Sequence, residues 1–278
     1  MSFAINSRLL LLGLACALPL GGCHRQKVVD PIPTHDTFEI ESTVLGETRV
    51  ICVWIPPSNK YEIEEFPVLY MPDGGIHEDF PHIANSISKL VELGEISPLI
   101  LVGIENTERR RDLTGPSSVA SDEQIAPLSD GASMFRKFIR TELFSEIERR
   151  YPVNKRRAIV GESAAGLFVV ETFLLDPSMF DTYIAMDPAL HWNDHQLVRN
   201  AAKLLESQSN DPKKLWFAAS NAEDIFPFTE QLSKILNTHR PKNLDWIYLP
   251  QPGEKHSTIF RATKESAFKW ALWAVPDA

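Results

Sequence analysis

The stretch Arg156 to Phe168, RRAIVGESAAGLF, constrains this chain more than any other. The apolar run Ala158-Ile159-Val160 ends in small residues around Ser163. A second apolar run, Leu167-Phe168-Val169-Val170 through Leu174-Leu175, begins at once with helical rather than alternating spacing. A strand, a tight turn and a helix are predicted. Such a turn holds the serine side chain above the strand end and aims the next residue's N–H at the same spot. Ser163 is thereby a candidate nucleophile, and the Ala164 N–H one half of a candidate oxyanion hole. Gly161, Ala164, Ala165 and Gly166 are small enough to let helix and strand approach closely. Small-residue turns around a serine are common in α/β proteins, so the reading needs partners elsewhere in the chain.

Upstream, Phe38, Ile40 and Ser42 alternate with Thr37, Glu39 and Glu41, and Thr48 to Ile55 follows as a nearly continuous apolar run. The short link Leu45-Gly46-Glu47 predicts a hairpin, so antiparallel strands open the sheet. Phe66 to Met71 reads as a buried strand running into Pro72-Asp73-Gly74-Gly75. Leu99 to Ile104 reads as another, continued by the polar loop Glu105 to Thr114. Helical patterns cover His82 to Leu93 and Ser133 to Tyr151. After the serine helix the chain alternates strand and helix: Phe180–Met186, Gln196–Leu205, Lys214–Ala219, Pro227–Leu236, Leu244–Leu249 and Ser257–Trp273. That alternation predicts an α/β fold, a mostly parallel sheet with helices on both faces. Ligands of such sheets bind beyond the carboxyl ends of the strands.

A serine hydroxyl is a poor nucleophile until an imidazole takes its proton, and a carboxylate must fix that imidazole's tautomer and stabilise its cation. Of the eight histidines, His256 alone follows the last strand and precedes the last helix. The acid is assigned to Glu223, just past the penultimate strand, with Asp224 beside it as the alternative and Asp187, one strand earlier, as a third choice. The other half of the oxyanion hole is placed at the N–H of Gly74 or Gly75. Arg109 and Arg111, in the polar loop, are candidate substrate contacts, because guanidinium groups bind carboxylate and phenolate oxygens; Asp112 is an alternative partner for them. His191 and His195 form H-x-x-x-H, but no glutamate stands between them and Trp192-Asn193 reads as loop. No metal is assigned and no cofactor is implied.

The first residues bear on compartment. After Arg8 comes an apolar run, Leu9 to Leu20, too short for a comfortable bilayer span, and then Gly21-Gly22-Cys23. Residues 1–22 are read as a signal peptide. Leu20-Gly21-Gly22-Cys23 resembles the bacterial lipoprotein processing site, which implies lipid on Cys23. His24 at the next position favours the periplasmic face of the outer membrane. Residues 23–34 form a proline-bearing tether, and 35–278 one catalytic domain. Cys16 leaves with the signal and Cys23 takes lipid, so Cys52 remains alone, as a small buried hydrophobe. A formal net charge of −9 argues against a nucleic-acid partner.

The assembled residues resemble the esterase family of α/β-hydrolases that includes enterobactin-type siderophore esterases, feruloyl esterase domains and S-formylglutathione hydrolase. Leu69-Tyr70-Met71-Pro72-Asp73-Gly74 is similar to the family's Y-L-L-D-G segment, and Asn106 to Thr114 to its N-T-x-R-x-R-D-L-T loop. Phe180 to Ala185 is similar to the F-D-x-Y-I-A strand, and His256-Ser257-Thr258 to the H-S-T segment. The resemblance implies that Ser163 and His256 are catalytic and that Arg109 or Arg111 lies near substrate. The chain departs from the family's G-H-S-x-G-G, with Glu162 in place of the histidine and Ala165 in place of a glycine. Glu162 is expected to disfavour anionic substrates. No insertion of cap-domain size interrupts the strands, which predicts an open site. The expectation is a serine hydrolase of small-molecule carboxylic esters working through an acyl-enzyme. Acyl transfer to an envelope alcohol, or a catalytically silent binding module with the same fold, are the alternatives.

Overall fold

The computed structural model describes residues 30–57 and 64–274. The proposed signal peptide and Cys23 lie outside the described residues. Eight strands form one sheet: β1 (Asp36–Ser42), β2 (Glu47–Trp54), β3 (Phe66–Pro72), β4 (Ile100–Ile104), β5 (Val153–Glu162), β6 (Thr182–Met186), β7 (Lys213–Ala219) and β8 (Leu244–Pro250). Their order is β1-β2-β4-β3-β5-β6-β7-β8. β1 pairs antiparallel with β2, and β2 with β4; every later pairing is parallel. The hairpin and the mixed sheet follow the sequence reading. β3 and β4 are buried at every position, as strands covered on both faces must be.

The helices are α1 (Phe80–Glu92), α2 (Arg109–Leu113), α3 (Gly131–Phe138), α4 (Phe144–Arg150), α5 (Ala164–Leu175), α6 (Trp192–Glu206), α7 (Phe226–His239) and α8 (His256–Ala271). A five-residue π turn, Ile139–Leu143, joins α3 to α4, so the two run on as the one helix read from the sequence. Helices α3 to α7 pack on one face of the sheet, around Phe135, Phe138, Phe168, Phe173 and Leu232. Helices α1 and α8 pack on the other, around Phe80, Ile83, Ile87, Ile259 and Phe268. Strand alternation divides β5 between them: Ile159 belongs to the first core, Ala158 and Val160 to the second. Cys52 is buried in the second core, at 1% exposure.

One segment differs from the sequence reading. Within the expected polar loop, Arg109 to Leu113 is helical. Its anchor is the fully buried Arg49 of β2, whose Nη1 donates to Asp112 Oδ2 at 2.5 Å and whose guanidinium stacks over the Phe135 ring. Around Trp192, where a loop is expected, Asn193, Asp194 and His195 all lie at φ near +50°, outside helical geometry, and α6 is regular only beyond them, where the sequence reading starts it. Asn193 is fixed there by bonds from Ser118 N–H and to Pro116 O. The N-terminal strap lies along α1 and α8: Asp30 pairs with Arg261, and the Pro31 carbonyl accepts from Asn85 Nδ2 at 2.7 Å.

Candidate active site

β5 delivers Ser163 directly from its carboxyl end into the first turn of α5, at φ 59° and ψ −117°. A non-glycine residue held there costs about 1–3 kcal/mol, which the surrounding bonds must offset. The Ser163 N–H donates to Met186 O at 3.0 Å, while its carbonyl accepts from Leu167 N–H at 2.8 Å and Ala189 N–H at 3.0 Å. Close packing makes the turn possible. A Cβ on Gly161 would lie 2.6 Å from the Ala165 carbonyl carbon and oxygen. The Ala164 N–H, at the first position of α5, is one of the groups a helix leaves without an intrahelical acceptor.

His256 is the first residue of α8, and its ring bridges the two other groups. Nε2 stands 3.1 Å from Ser163 Oγ, and Nδ1 stands 2.9 Å from Asp187 Oδ2. Asp187 is fully buried and its second oxygen, Oδ1, accepts the Ser220 N–H at 2.5 Å. With both oxygens bonded the carboxylate can orient only one way, which fixes Nδ1–H as the donor and leaves Nε2 to face the serine. The hydrogen bond to Asp187 raises the imidazole above its usual 6.5; burial opposes this and the charge of Glu162 adds to it.

The carboxylate that meets His256 is therefore that of Asp187 and not that of Glu223. Glu223 and Asp224 lie exposed in the turn that leads into α7, and neither bonds to His256. What β7 presents to the site is the Ser220 N–H. What singles out Asp187 is the register of β5 with β6: Glu162 is level with Met186, so the residue after Met186 is level with Ser163. The oxyanion glycines also need correction. The Gly74 N–H is taken by Ile104 O at 3.0 Å, locking the end of β3 to β4. The Gly75 N–H donates to Glu78 Oε2 at 2.7 Å. The structure leaves Ala164 as the donor beside the serine, and Gly75 can serve only where Glu78 gives way.

Both candidate substrate arginines are engaged with carboxylates of the chain. Arg109 holds Asp73 with two bonds, Nε to Oδ1 at 2.6 Å and Nη2 to Oδ2 at 2.7 Å. Arg111 binds Glu47 and Asp112. Burial opposes ionisation of Glu47, yet bonds from Arg111, Thr107 and Arg49 outweigh it and hold its carboxyl down at about 2. Glu162 behaves in the opposite way. Burial pushes its carboxyl up to about 7; His256 opposes the shift, and the charges of Asp79, Asp187 and Asp73 reinforce it. Of the two histidines of the H-x-x-x-H pair, His195 stacks on Phe228 with ring centroids 4.7 Å apart.

The family model described as Putative esterase matches residues 42–274. The chain belongs to this esterase family. Over 267 residues it is 31% identical to the ferri-bacillibactin esterase BesA of Bacillus subtilis, covering 86% of this chain and 92% of that protein. An IroE-like serine hydrolase from Shewanella oneidensis superposes with a TM-score of 0.74 at 25% identity, over 85% of this chain and 79% of that one. The BES protein from Bacillus cereus superposes with a TM-score of 0.76 at 20% identity, over 90% and 99% of the two chains, a likeness of fold. The fold is that of the α/β-hydrolases, and the chain is an ester hydrolase.

Proposed function

We propose that this esterase cleaves carboxylic esters through a covalent acyl-enzyme on Ser163, with His256 as general base and acid and Asp187 as the orienting carboxylate. The observation that carries the reading is the unbroken line Ser163 Oγ, His256 Nε2, His256 Nδ1, Asp187 Oδ2, at 3.1 and 2.9 Å. In the first half-reaction Ser163 Oγ attacks the carbonyl carbon while Nε2 takes its proton, and the oxyanion meets the Ala164 N–H. Collapse expels the alcohol, which receives the proton from Nε2. In the second half water attacks the acyl-enzyme, gives its proton to Nε2, and the acid leaves as Ser163 regains its hydrogen. The relative named for ferri-bacillibactin makes a siderophore ester one substrate to try, alongside feruloyl and short acyl esters.

Intact mass after incubation with a fluorophosphonate tests this reading. One adduct on the parent, absent from Ser163→Ala and much slowed in His256→Ala, is expected. A folded parent that takes no adduct overturns it. Attachment to the envelope by lipid on Cys23 is part of the same proposal, supported by the Leu20-Gly21-Gly22-Cys23 sequence. Metabolic labelling with an alkynyl fatty acid should mark the parent and not Cys23→Ala; equal labelling of both removes the anchor.

A further inference from the structure

Glu162, the residue immediately before the nucleophile, plays no part in the relay described above. Its place follows from strand alternation. Val160 and Ala158 point into the core under α1 and α8, so the side chain two residues on leaves β5 on that same face. On that side of the sheet lie the start of α8, which carries His256, and the start of α1, preceded by Asp79. The groups that act on its charge come from every neighbouring element: Asp73 at the end of β3, Asp79 before α1, Asp187 at the end of β6 and His256 on α8. Arg109 of α2 feels Glu162 in turn.

Most of these groups already have partners. Arg109 is spent on Asp73, and His256 on Asp187. The Glu78 carboxylate is held by Asn106 Nδ2 at 2.6 Å and by the Gly75 N–H. Glu162 makes no hydrogen bond to any described residue and has no ion-pair partner among them. A partly buried, unmatched carboxyl beside the reacting serine imposes its charge on whatever docks there, because the protein around it screens less than bulk water does.

We propose that Glu162 sets the charge preference of the site, favouring esters with a cationic group close to the scissile carbonyl and rejecting anionic ones. The proposal rests on the serine-esterase reading and adds the substrate class to it. The selection depends on ionisation. Burial places that ionisation near neutrality, so discrimination is weak in acid and full in mild alkali.

The test uses nitrophenyl esters of three isosteric acyl chains, ending in trimethylammonium, tert-butyl and sulfonate, assayed from about pH 5.5 to about pH 8.5, a range that spans the Glu162 titration. In the parent, the cation-to-anion ratio of kcat/KM should rise about tenfold across that range. In Glu162→Gln the ratio should be flat with pH and about tenfold below the parent at the alkaline end. A ratio is the readout because a structural defect slows all three esters alike. Glu162→His, which places a potential cation there, should move the ratio further toward the sulfonate ester. A pH-independent ratio in the parent, or one unmoved by either substitution, overturns the role of Glu162. If Ser163 of the parent takes no fluorophosphonate adduct, the hydrolase reading fails instead, and the two failures are distinct.

Discussion

At the scale of single residues, the buried Asp187 and the exposed Glu223 make opposite predictions. Replacing Asp187 by Asn removes the acceptor of His256 Nδ1–H while keeping the shape of the side chain, and offers a donor where the imidazole needs an acceptor. The wrong tautomer should lower kcat/KM by roughly 10³–10⁴. Glu223→Gln and Asp224→Asn, in an exposed turn, should stay within about threefold of the parent, the range of surface substitutions. A steady-state assay on any turned-over ester decides between them, and a large loss at Glu223 would restore the sequence assignment. His256 makes a second prediction. It must be neutral to accept the serine proton, so activity rises with pH through its raised value, and part of that elevation comes from Glu162. Glu162→Gln should therefore move the acid limb of the kcat/KM profile toward lower pH. Because the two groups interact, the parent's limb belongs to the pair rather than to either residue. The pairing of Ser163 with His256 was legible because small residues and chain order single them out. Asp187 was not, since Asp187-Pro188 reads equally well as a strand stop, and only the pairing of β6 with β5 sets it level with the serine.

At the scale of elements, what the sequence made legible was whatever rests on burial. The strands β3, β4 and β6 are continuous apolar runs, and α1 and α8 carry helical apolar spacing. Helix α2 was missed because only Asp112 and Leu113 of its five residues are buried, too few to show a helical apolar spacing. The helix exists through long-range charge pairs that no local window contains. Arg49, 63 positions away from Asp112, is its main tie. Removing one partner of a buried ion pair strands the other, whereas an exposed pair contributes little. Arg49→Met should cost about 3–5 kcal/mol in urea unfolding, the usual loss for a broken buried pair. Arg111→Met, whose side chain is 31% exposed and shares the same carboxylates, should cost about 1 kcal/mol or less. Equal losses would mean that the network acts as one unit rather than through Arg49. The run of three positive φ values at Asn193 to His195 was equally hidden, since it is maintained by the bonds of Asn193 to the 116–118 segment.

For the whole molecule, the sheet order brings the ends of β3, β5, β6, β7 and the start of α8 to one edge, and the carboxyls there, together with those paired elsewhere on the molecule, set how stability varies with pH. Glu47 and Glu146 are held down at about 2, and Glu142 and Glu148 are lowered as well. A depressed carboxyl contributes stability above its unfolded value and loses it as pH falls toward the folded one, so these groups weaken the fold between roughly pH 4.5 and 2. Glu162 has the opposite sign. Its folded value near 7 lies above the ordinary 4.5, so the unfolded chain ionises first and the native state is progressively disfavoured from pH 4.5 up to 7. His256, also raised, stabilises below 6.5 and loses that contribution as pH rises through its folded value. Both active-site groups thus push the stability maximum to the acid side, near about pH 5. A shift of this size amounts to at most about 3 kcal/mol for Glu162, less what the displaced His256 gives back. Glu162→Gln should leave Tm at about pH 3 unchanged, where both states carry a neutral side chain, and raise it by several degrees at about pH 8. Calorimetry at the two pH values checks this. A Tm at pH 8 no higher than the parent's would mean that Glu162 ionises without cost, and that it lacks the buried, unmatched charge on which a charge-selective site depends. A gain in stability matched by a loss of discrimination between the ammonium and sulfonate esters would mark Glu162 as a residue retained for selectivity at the expense of the fold.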